Sequence, residues 1–339
     1  MTPSARLAVI GAGLAGLSCA TALQRAGLEV RVFEKSRGVA GRMSTRRGDG
    51  WQCDHGAQYF TARHAEFRTE VARWQQAGVA ALWNPRLQVL NGDSLRDREL
   101  QQAAVTGSLE RFVGIPRMTA PARFLADALA VDVETTIIRL QHHGDGWQLC
   151  SAEGGWLAPR FDAVLLAVPA PQVVPLLQDA APELAELAAS AGMRGAWALM
   201  LRFAAPLDLP FDAAFVNSGP LRWIARDSHK PGRGAPETWL LHAGAEWSEA
   251  HIEDTADAVA AELLEAFRQL GGAAPQVWSV HRWRYADTEP ALDIACAWDA
   301  QPAVGLCGDW LHGGRVEGAW LSGRELARRV LVSIATQPH

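Results

Sequence analysis

Three glycines and one carboxylate carry the first chemical message of this chain: Gly11, Gly13 and Gly16, then Glu34. A short apolar run, Leu7-Ala8-Val9-Ile10, precedes the glycines, and a helix-patterned segment follows them. Strand, glycine turn and helix in that order suit a pyrophosphate. Gly11 permits the tight turn, Gly13 lets the backbone approach the phosphates, and Gly16 lets the helix pack close to the strand. The helix N-terminus adds unpaired N–H groups and a partial positive charge. Glu34 closes a second strand over 29–33 and can accept hydrogen bonds from an adenosine ribose.

Two further segments extend the pattern. Ser36-Arg37-Gly38-Val39-Ala40-Gly41-Arg42 offers close backbone approach and, in Arg42, a guanidinium fork suited to a pyrophosphate. Near the other end, the buried-type strand over 303–307 runs into Gly308-Asp309-Trp310. Gly313-Gly314-Arg315-Val316-Glu317-Gly318-Ala319 then opens a helix. Asp309 can hold a ribityl hydroxyl, and the helix start around Val316, Gly318 and Ala319 can aim N–H groups at an electron-rich ring edge. The three segments together point to FAD, not NAD, as the tightly held cofactor.

Composition limits what these motifs serve. The chain has 339 residues, 49% of them hydrophobic and 20% charged, with a formal net charge of −5. That length suggests two domains, and the acidic balance argues against a nucleic-acid partner. The basic residues are almost all arginine; the lysines are Lys35 and Lys230. Cys19, Cys53, Cys150, Cys296 and Cys307 stand far apart with no CxxC pair, which reads as reduced thiols and no metal site. The chain enters a strand with no secretory pattern before it, and no apolar run reaches the length of a membrane span. The expected location is cytoplasmic, with no membrane partner.

These residues need elements to position them. Periodicity predicts a β-α-β unit over 6–34 and a helix over 64–76, with Phe67, Val71 and Trp74 on one stripe. It predicts a helix from an N-cap at Thr119 through about Ala130, strands over 133–140 and 146–150, and a buried strand over 161–168. A helix over 171–190 is followed by strands over 196–203, 213–217, 221–226 and 238–242. A helix over 249–270, a strand over 276–285 and a final helix over 317–330 complete the list. The resulting expectation is an α/β chain. A Rossmann-like FAD-binding domain, a parallel sheet with helices, is built from 1–64, 108–170 and 290–339. It is interleaved with an α+β substrate domain on a mixed or antiparallel sheet, from 65–107 and 171–289.

The three cofactor segments look like those of amine-oxidase-type FAD enzymes. Within that group the chain resembles the bacterial renalases over nearly its whole length. The resemblance rests on Lys35-Ser36-Arg37-Gly38, Met43-Ser44, Gly56-Ala57-Gln58-Tyr59-Phe60-Thr61-Ala62-Arg63, His242-Ala243, and Cys307-Gly308-Asp309-Trp310 through Gly313 to Trp320. It implies an FAD oxidase, with the flavin held non-covalently. Such an enzyme takes a hydride from misreduced dihydronicotinamides, chiefly the 2-dihydro and possibly the 6-dihydro isomers of NAD(P). It returns NAD(P)+ and reduces dioxygen to hydrogen peroxide. The implied FAD contacts are Ala12, Glu34, Arg42, Ala57, Gln58, Val133 through its backbone, Asp309 and Val316. The implied substrate contacts are Tyr59, Phe60, Thr61, Ala62, Arg63 and Arg315. The chain departs from the wider group in having no lysine over 195–200, where amine oxidases usually supply one to the flavin, and in carrying Ala40 where glycine is more usual.

Hydride transfer from a dihydropyridine needs no general base, because the ring nitrogen's lone pair expels the hydride and aromaticity drives the step. The protein must position the donor carbon and exclude competing chemistry, so no protein side chain is expected to act as a catalytic acid or base. Arg63 and Arg315 are candidates for the substrate's carboxamide or phosphates. His242, at the end of a strand, is either a ligand contact or a satisfied core histidine. Trp283, Arg284 and Tyr285 alternate along a strand, so that Trp283 could wall a flat pocket. An amine oxidase or desaturase, a non-catalytic FAD-binding module and an NAD(P)-dependent dehydrogenase remain the competing readings.

Overall fold

The computed structural model describes residues 5–91, 109–144 and 146–336. The strand Arg6–Ile10 is buried on both faces from Leu7 onward, as a central parallel strand requires. It pairs with Glu29–Phe33 on one side and Ala163–Leu166 on the other, both in parallel. The full sheet has six strands, in the order Ala297–Asp299, Val304–Leu306, Ala163–Leu166, Arg6–Ile10, Glu29–Phe33 and Ala130–Asp132. Only the outermost pair, Ala297–Asp299 with Val304–Leu306, is antiparallel.

Helix Leu14–Arg25 covers one face of this sheet beside the long helix Val316–Thr336. The two cross in close contact. A Cβ on Gly323 would lie 2.1 Å from the carbonyl oxygen of Ala15, and Ser18 Oγ donates to the Trp320 carbonyl at 2.8 Å. The N-termini of both helices are thereby held at the same end of the sheet.

The second six-stranded sheet runs Val277–Thr288, Met193–Phe203, Glu237–Ala243, Leu221–Arg226, Ala213–Val216 and Leu87–Leu90. Its pairings are antiparallel except Leu87–Leu90 with Ala213–Val216. Helix Ala256–Gln269 buries Val259, Ala260, Leu263 and Phe267 against it. The chain is thus a parallel α/β layer joined to a mixed-sheet α+β layer.

Several elements differ from the periodicity reading. The helix after Thr119 spans Ala120–Ala126 and stops well before Ala130. Residues 130–132 are an edge strand instead, because pairing with Arg31–Phe33 outweighs their alanine-rich helical pattern. The next strand is Ile137–His143, so Val133 stands in the loop between the two. The single helix expected over 171–190 is two, Ala170–Leu177 and Pro182–Ala189, with Pro182 starting the second. The helix expected over 249–270 is likewise two, Ala245–Ala250 and Ala256–Gln269; the Thr255 hydroxyl restarts it by accepting from the Ala258 N–H at 3.3 Å.

Packing also groups the segments in its own way. Helices Ala170–Leu177 and Pro182–Ala189 pack on the parallel sheet, with Ala8, Ile10 and Leu166, and not on the mixed sheet. Phe67, Val71 and Trp74 of helix Ala65–Gln76 join the core shared with Leu17 and Trp320. The expected boundary near 107–108 lies outside the described residues.

Candidate functional site

The carboxyl ends of the parallel strands open into a cavity of about 1760 Å3, bounded on its far side by the mixed sheet. Gly11, Gly13, Glu34, Arg42, Ala57, Gln58, Asp309, Val316 and Ala319 all line it. Gly11 has φ +104°, and a Cβ there would lie 2.5 Å from the Ala167 carbonyl oxygen. Gly16 is packed inward, where a Cβ would meet the Gly11 carbonyl oxygen at 2.0 Å. Gly13 precedes helix Leu14–Arg25 with no side-chain cap and no acid in the first turn. Its own Cβ position opens on free space. A polar helix start facing a cavity suits an anion.

Glu34 is nearly buried yet reaches this cavity. Its Oε2 accepts from the Ala12 N–H and its Oε1 from the Ser36 N–H, each at 2.8 Å. Ala12 therefore acts through its N–H on Glu34 and does not itself line the cavity. Arg42 and Asp309, expected on separate parts of a cofactor, pair with each other: one arm reaches Asp309 Oδ2 at 3.0 Å and the other reaches Oδ1. The pair ties the turn Gly41–Met43 to the turn Asp309–Leu311. Ala40, at φ +105° and almost fully buried, holds a left-handed conformation that glycine adopts more easily. The glycine-rich turns, the uncapped helix start and the carboxylate at a strand end together fit an adenine dinucleotide such as FAD.

Other expected contacts are placed elsewhere. Gly318 packs against the His312 carbonyl oxygen, where a Cβ would sit 1.7 Å away, and does not line the cavity. Val133 is exposed at 40% and outside the lining, while Thr135 and Thr136 beyond it face in. Of the expected substrate residues, Tyr59, His242, Trp283 and Arg315 line the cavity. Phe60 does not: it is buried among Phe67, Trp74 and Phe112 in an aromatic core. Thr61, Ala62 and Arg63 also lie outside the lining. The backbone N–H groups of Arg63 and His64 donate to Glu317 Oε1 at 2.7 Å, which anchors that segment to the last helix.

The mixed-sheet wall holds residues that the motifs did not flag. Trp283 Nε1 donates to the His55 carbonyl at 2.9 Å and His242 Nε2 to the same oxygen at 3.1 Å. The His55 ring stacks on Trp283 at 5.2 Å and meets His281 edge-on at 4.7 Å. Arg46 donates to His281 Nδ1 at 3.0 Å. Burial, then His281 and Arg46, push His55 down to about 3. Burial lowers His242 to about 4 against its bond to His55, and burial with Arg46 lowers His281 to about 4. At neutral pH this wall holds three uncharged imidazoles. His281 was within reach of sequence reasoning, since it shares a strand face with Trp283 at a spacing of two.

Behind this wall is a charged cluster that sequence reasoning missed. Lys230 is fully buried, 2.9 Å from Asp227 Oδ1, 3.4 Å from Asp54 Oδ2 and 3.2 Å from Gln58 Oε1. Arg233 also pairs with Asp54 and donates to the Gly114 carbonyl at 2.6 Å. Burial pushes Asp227 up; burial acts the same way on Asp54, but Lys230 and Arg233 outweigh it and hold Asp54 low. Lys230 approaches Gln58 from the protein side and is absent from the cavity lining.

Residues 9–72 match a model of NAD(P)-binding Rossmann-like domains, and residues 96–331 match the model of flavin containing amine oxidoreductases. The second match spans more than half of the chain. This chain belongs to the flavin-containing amine oxidoreductases. FAD is accordingly its cofactor.

Among solved structures, a putative protoporphyrinogen oxidase from Exiguobacterium sp. 255-15 superposes with TM-score 0.76 at 15% identity, covering 99% of this chain and 100% of that one. Cyclohexylamine oxidase from Brevibacterium oxydans gives TM-score 0.73 at 15% identity, covering 98% of this chain and 100% of that one. These likenesses show the shared fold. A curated relative from Magnetococcus marinus, the tRNA 5-methylaminomethyl-2-thiouridine biosynthesis bifunctional protein MnmC, is 30% identical over 210 residues. That match takes in 52% of this chain and 31% of the relative. The L-amino acid oxidase of Cerastes cerastes is 38% identical over 71 residues, 20% of this chain and 14% of its own length. The chain thus spans less than a third of the length of these curated relatives. No helix among the described residues is long and apolar enough to cross a membrane.

Proposed function

We propose that this oxidoreductase is a renalase-type oxidase, taking a hydride from a misreduced dihydronicotinamide dinucleotide. One observation carries the reading: the charge of the cavity. Nine arginines and Lys35 line it, in a chain of net charge −5. Arg282 and Arg284 are paired with Glu253, Arg222 with Asp287 and Arg42 with Asp309; the other five, Arg37, Arg46, Arg47, Arg123 and Arg315, are in no ion pair with a described residue. Such a surface favours a substrate that brings phosphates and disfavours a free ammonium. The volume points the same way, since about 1760 Å3 exceeds the roughly 1,000 Å3 upper range of ordinary small-molecule pockets. It leaves room for a second dinucleotide beside FAD.

When bound, FAD supplies the hydride acceptor at N5 and passes the electrons to dioxygen as hydrogen peroxide. The residues of this chain bind and orient. Gly11, Gly13 and Arg42 face the FAD pyrophosphate, Glu34 the ribose, and Asp309 the ribityl chain. Ala57, Gln58, Val316 and Ala319 approach the ring, which is held without a covalent bond; none of the five cysteines lines the cavity. Tyr59 and Trp283 flank the dihydropyridine, and the neutral His55, His242 and His281 leave it unprotonated. Arg46, Arg222 and Arg315 meet the substrate phosphates. No side chain must accept a proton, which is consistent with a strand over 195–200 that lacks lysine.

The test is anaerobic reduction of the FAD-loaded protein by separated 2-, 4- and 6-dihydro isomers of NAD and NADP. The 2- or 6-dihydro forms should bleach the yellow band far faster than the ordinary 4-dihydro form. Family membership favours amine oxidation as the second reading. Fast bleaching by simple amines, with no response to any dihydronicotinamide, would decide for it.

A further inference from the structure

A second, smaller cavity of about 230 Å3 lies away from the flavin cavity. Its walls come from four helices: Leu14–Arg25, Ala65–Gln76, Ala120–Ala126 and Val316–Thr336. Nothing in the proposed hydride transfer uses it.

Its polar groups are incompletely satisfied. Thr21 and Glu70 are each only 8% exposed, yet Thr21 Oγ1 and Glu70 Oε1 have no hydrogen-bond partner among the described residues. Arg324 Nε is buried and unpartnered as well. A buried polar group left without a partner costs about 1–3 kcal/mol, so three at one cavity call for an occupant.

The chemistry of that occupant follows from which charges are already met. Glu70 uses Oε2 on Arg73 at 3.1 Å, and Glu66 is paired with Arg328. Both carboxylates are therefore neutralised by arginines outside the lining. Arg324 lies over the Trp320 ring at 5.6 Å, and neither it nor Arg25 at the rim is in an ion pair with a described residue. The cavity thus presents two unspent guanidinium groups, one free carboxylate oxygen and an apolar patch of Leu125 and Trp320. An anion alone would leave Glu70 Oε1 unmet, and a cation alone would leave both arginines unmet.

We propose that this cavity is a second binding site, for a small zwitterion of α-amino-acid size. The carboxylate binds Arg324 and Arg25, the ammonium binds Glu70 Oε1 and the Thr21 hydroxyl, and an apolar side chain lies on Leu125 and Trp320. The site is independent of the flavin substrate, and its ligand undergoes no redox step.

Calorimetric titration of the FAD-loaded protein tests this with glycine, leucine and phenylalanine as probes, and with leucinamide and isopentylamine as controls lacking the carboxylate. At least one amino acid should bind, and its binding should weaken about tenfold or more in Glu70→Gln and in Arg324→Met, as loss of a charge-assisted contact implies. The flavin spectrum should stay oxidised throughout, and both variants should retain the parent's flavin absorbance. Absence of heat with all three amino acids would overturn the proposal. So would amine controls that bind as well as leucine, affinity unchanged in both variants, or bleaching of the flavin by the bound amino acid. None of these outcomes depends on which dihydronicotinamide the flavin cavity accepts.

Discussion

The two walls of the flavin cavity are built on opposite principles. The parallel-sheet wall is backbone: Gly11, Gly13 and Gly41 line it without side chains, and the carboxylate of Glu34 is held by the N–H groups of Ala12 and Ser36. The mixed-sheet wall is side chain: Trp283, His242 and His281 project from two strands onto His55, with Arg46 behind His281. The first wall fails when atoms are added at Gly11 or Gly16, where a Cβ would lie 2.5 Å or 2.0 Å from a carbonyl oxygen. The second fails when a partner is removed, because its groups are buried and depend on one another. Substitutions at the two walls should therefore misbehave in different ways.

The largest effect is expected behind the side-chain wall. Lys230→Met leaves Asp227 buried without its cation and Asp54 with Arg233 alone. Removing one partner of a buried ion pair costs on the order of 3–5 kcal/mol, which urea unfolding at neutral pH should register. The loss should shrink as pH falls. Asp227, already pushed up by burial, would rise further and gain a proton in the folded state, and a group with a raised folded pKa adds stability on the acid side. Unfolding unchanged by the substitution would mean that Lys230 does not stabilise Asp227 and Asp54 as a buried ion pair.

Gly16→Ala probes the backbone wall by addition. The new methyl would stand 2.0 Å from the Gly11 carbonyl oxygen, and neither backbone segment can yield without moving the phosphate turn. A cost of about 3 kcal/mol is expected from such overpacking. It should appear as lost FAD retention as well as lost stability, whereas Lys230→Met should lower stability more than cofactor affinity. Absorbance of the bound flavin after gel filtration, set beside the unfolding curve, separates the two.

The contrast also explains what could be read from the chain. The backbone wall was legible because its parts are contiguous: strand, glycines and helix occur in one run, and each glycine answers a local steric demand. The side-chain wall is assembled by strand pairing over long separations, with Ala198 opposite both His242 and His281 across the sheet. No local pattern announces that. Lys230 illustrates the difficulty: Asp227 to Arg233 is a mostly polar run, and only tertiary packing buries Asp227 and Lys230 within it. Arg63 is the converse case. Its motif suggested a ligand contact, but its N–H is used on Glu317 and its side chain is exposed.

Acid titration tests the neutrality of the imidazole wall. His242 falls to about 4 in the folded protein from an ordinary value of 6.5, so the unfolded chain binds its proton first as pH drops. Stability from this residue is fully present above pH 6.5 and is lost progressively as pH falls toward 4. At full protonation the cost is on the order of 3 kcal/mol, and His55 should add to it by the same sign. His242→Phe should flatten the stability profile between those limits. If the profile of the variant keeps the parent's slope, the imidazole is not held neutral by this wall.

The smallest effect separates two threonines that look alike in sequence, one on each side of the molecule. Thr255 accepts from the Ala258 N–H and begins the helix packed on the mixed sheet. Thr119 precedes the helix beside the flavin cavity, but its backbone is already helical and its hydroxyl makes no capping bond. Thr255→Ala should cost about 1 kcal/mol in thermal or urea unfolding. Thr119→Ala removes no hydrogen bond and should cost less than Thr255→Ala. The order follows from geometry alone: a cap works only where the preceding residue stays extended, which ψ of 151° provides at Thr255 and ψ of −13° denies at Thr119. Equal losses at the two positions would show that Thr119 bonds a helix N–H in solution, and would bring the cofactor-side helix under the same local rule as its counterpart.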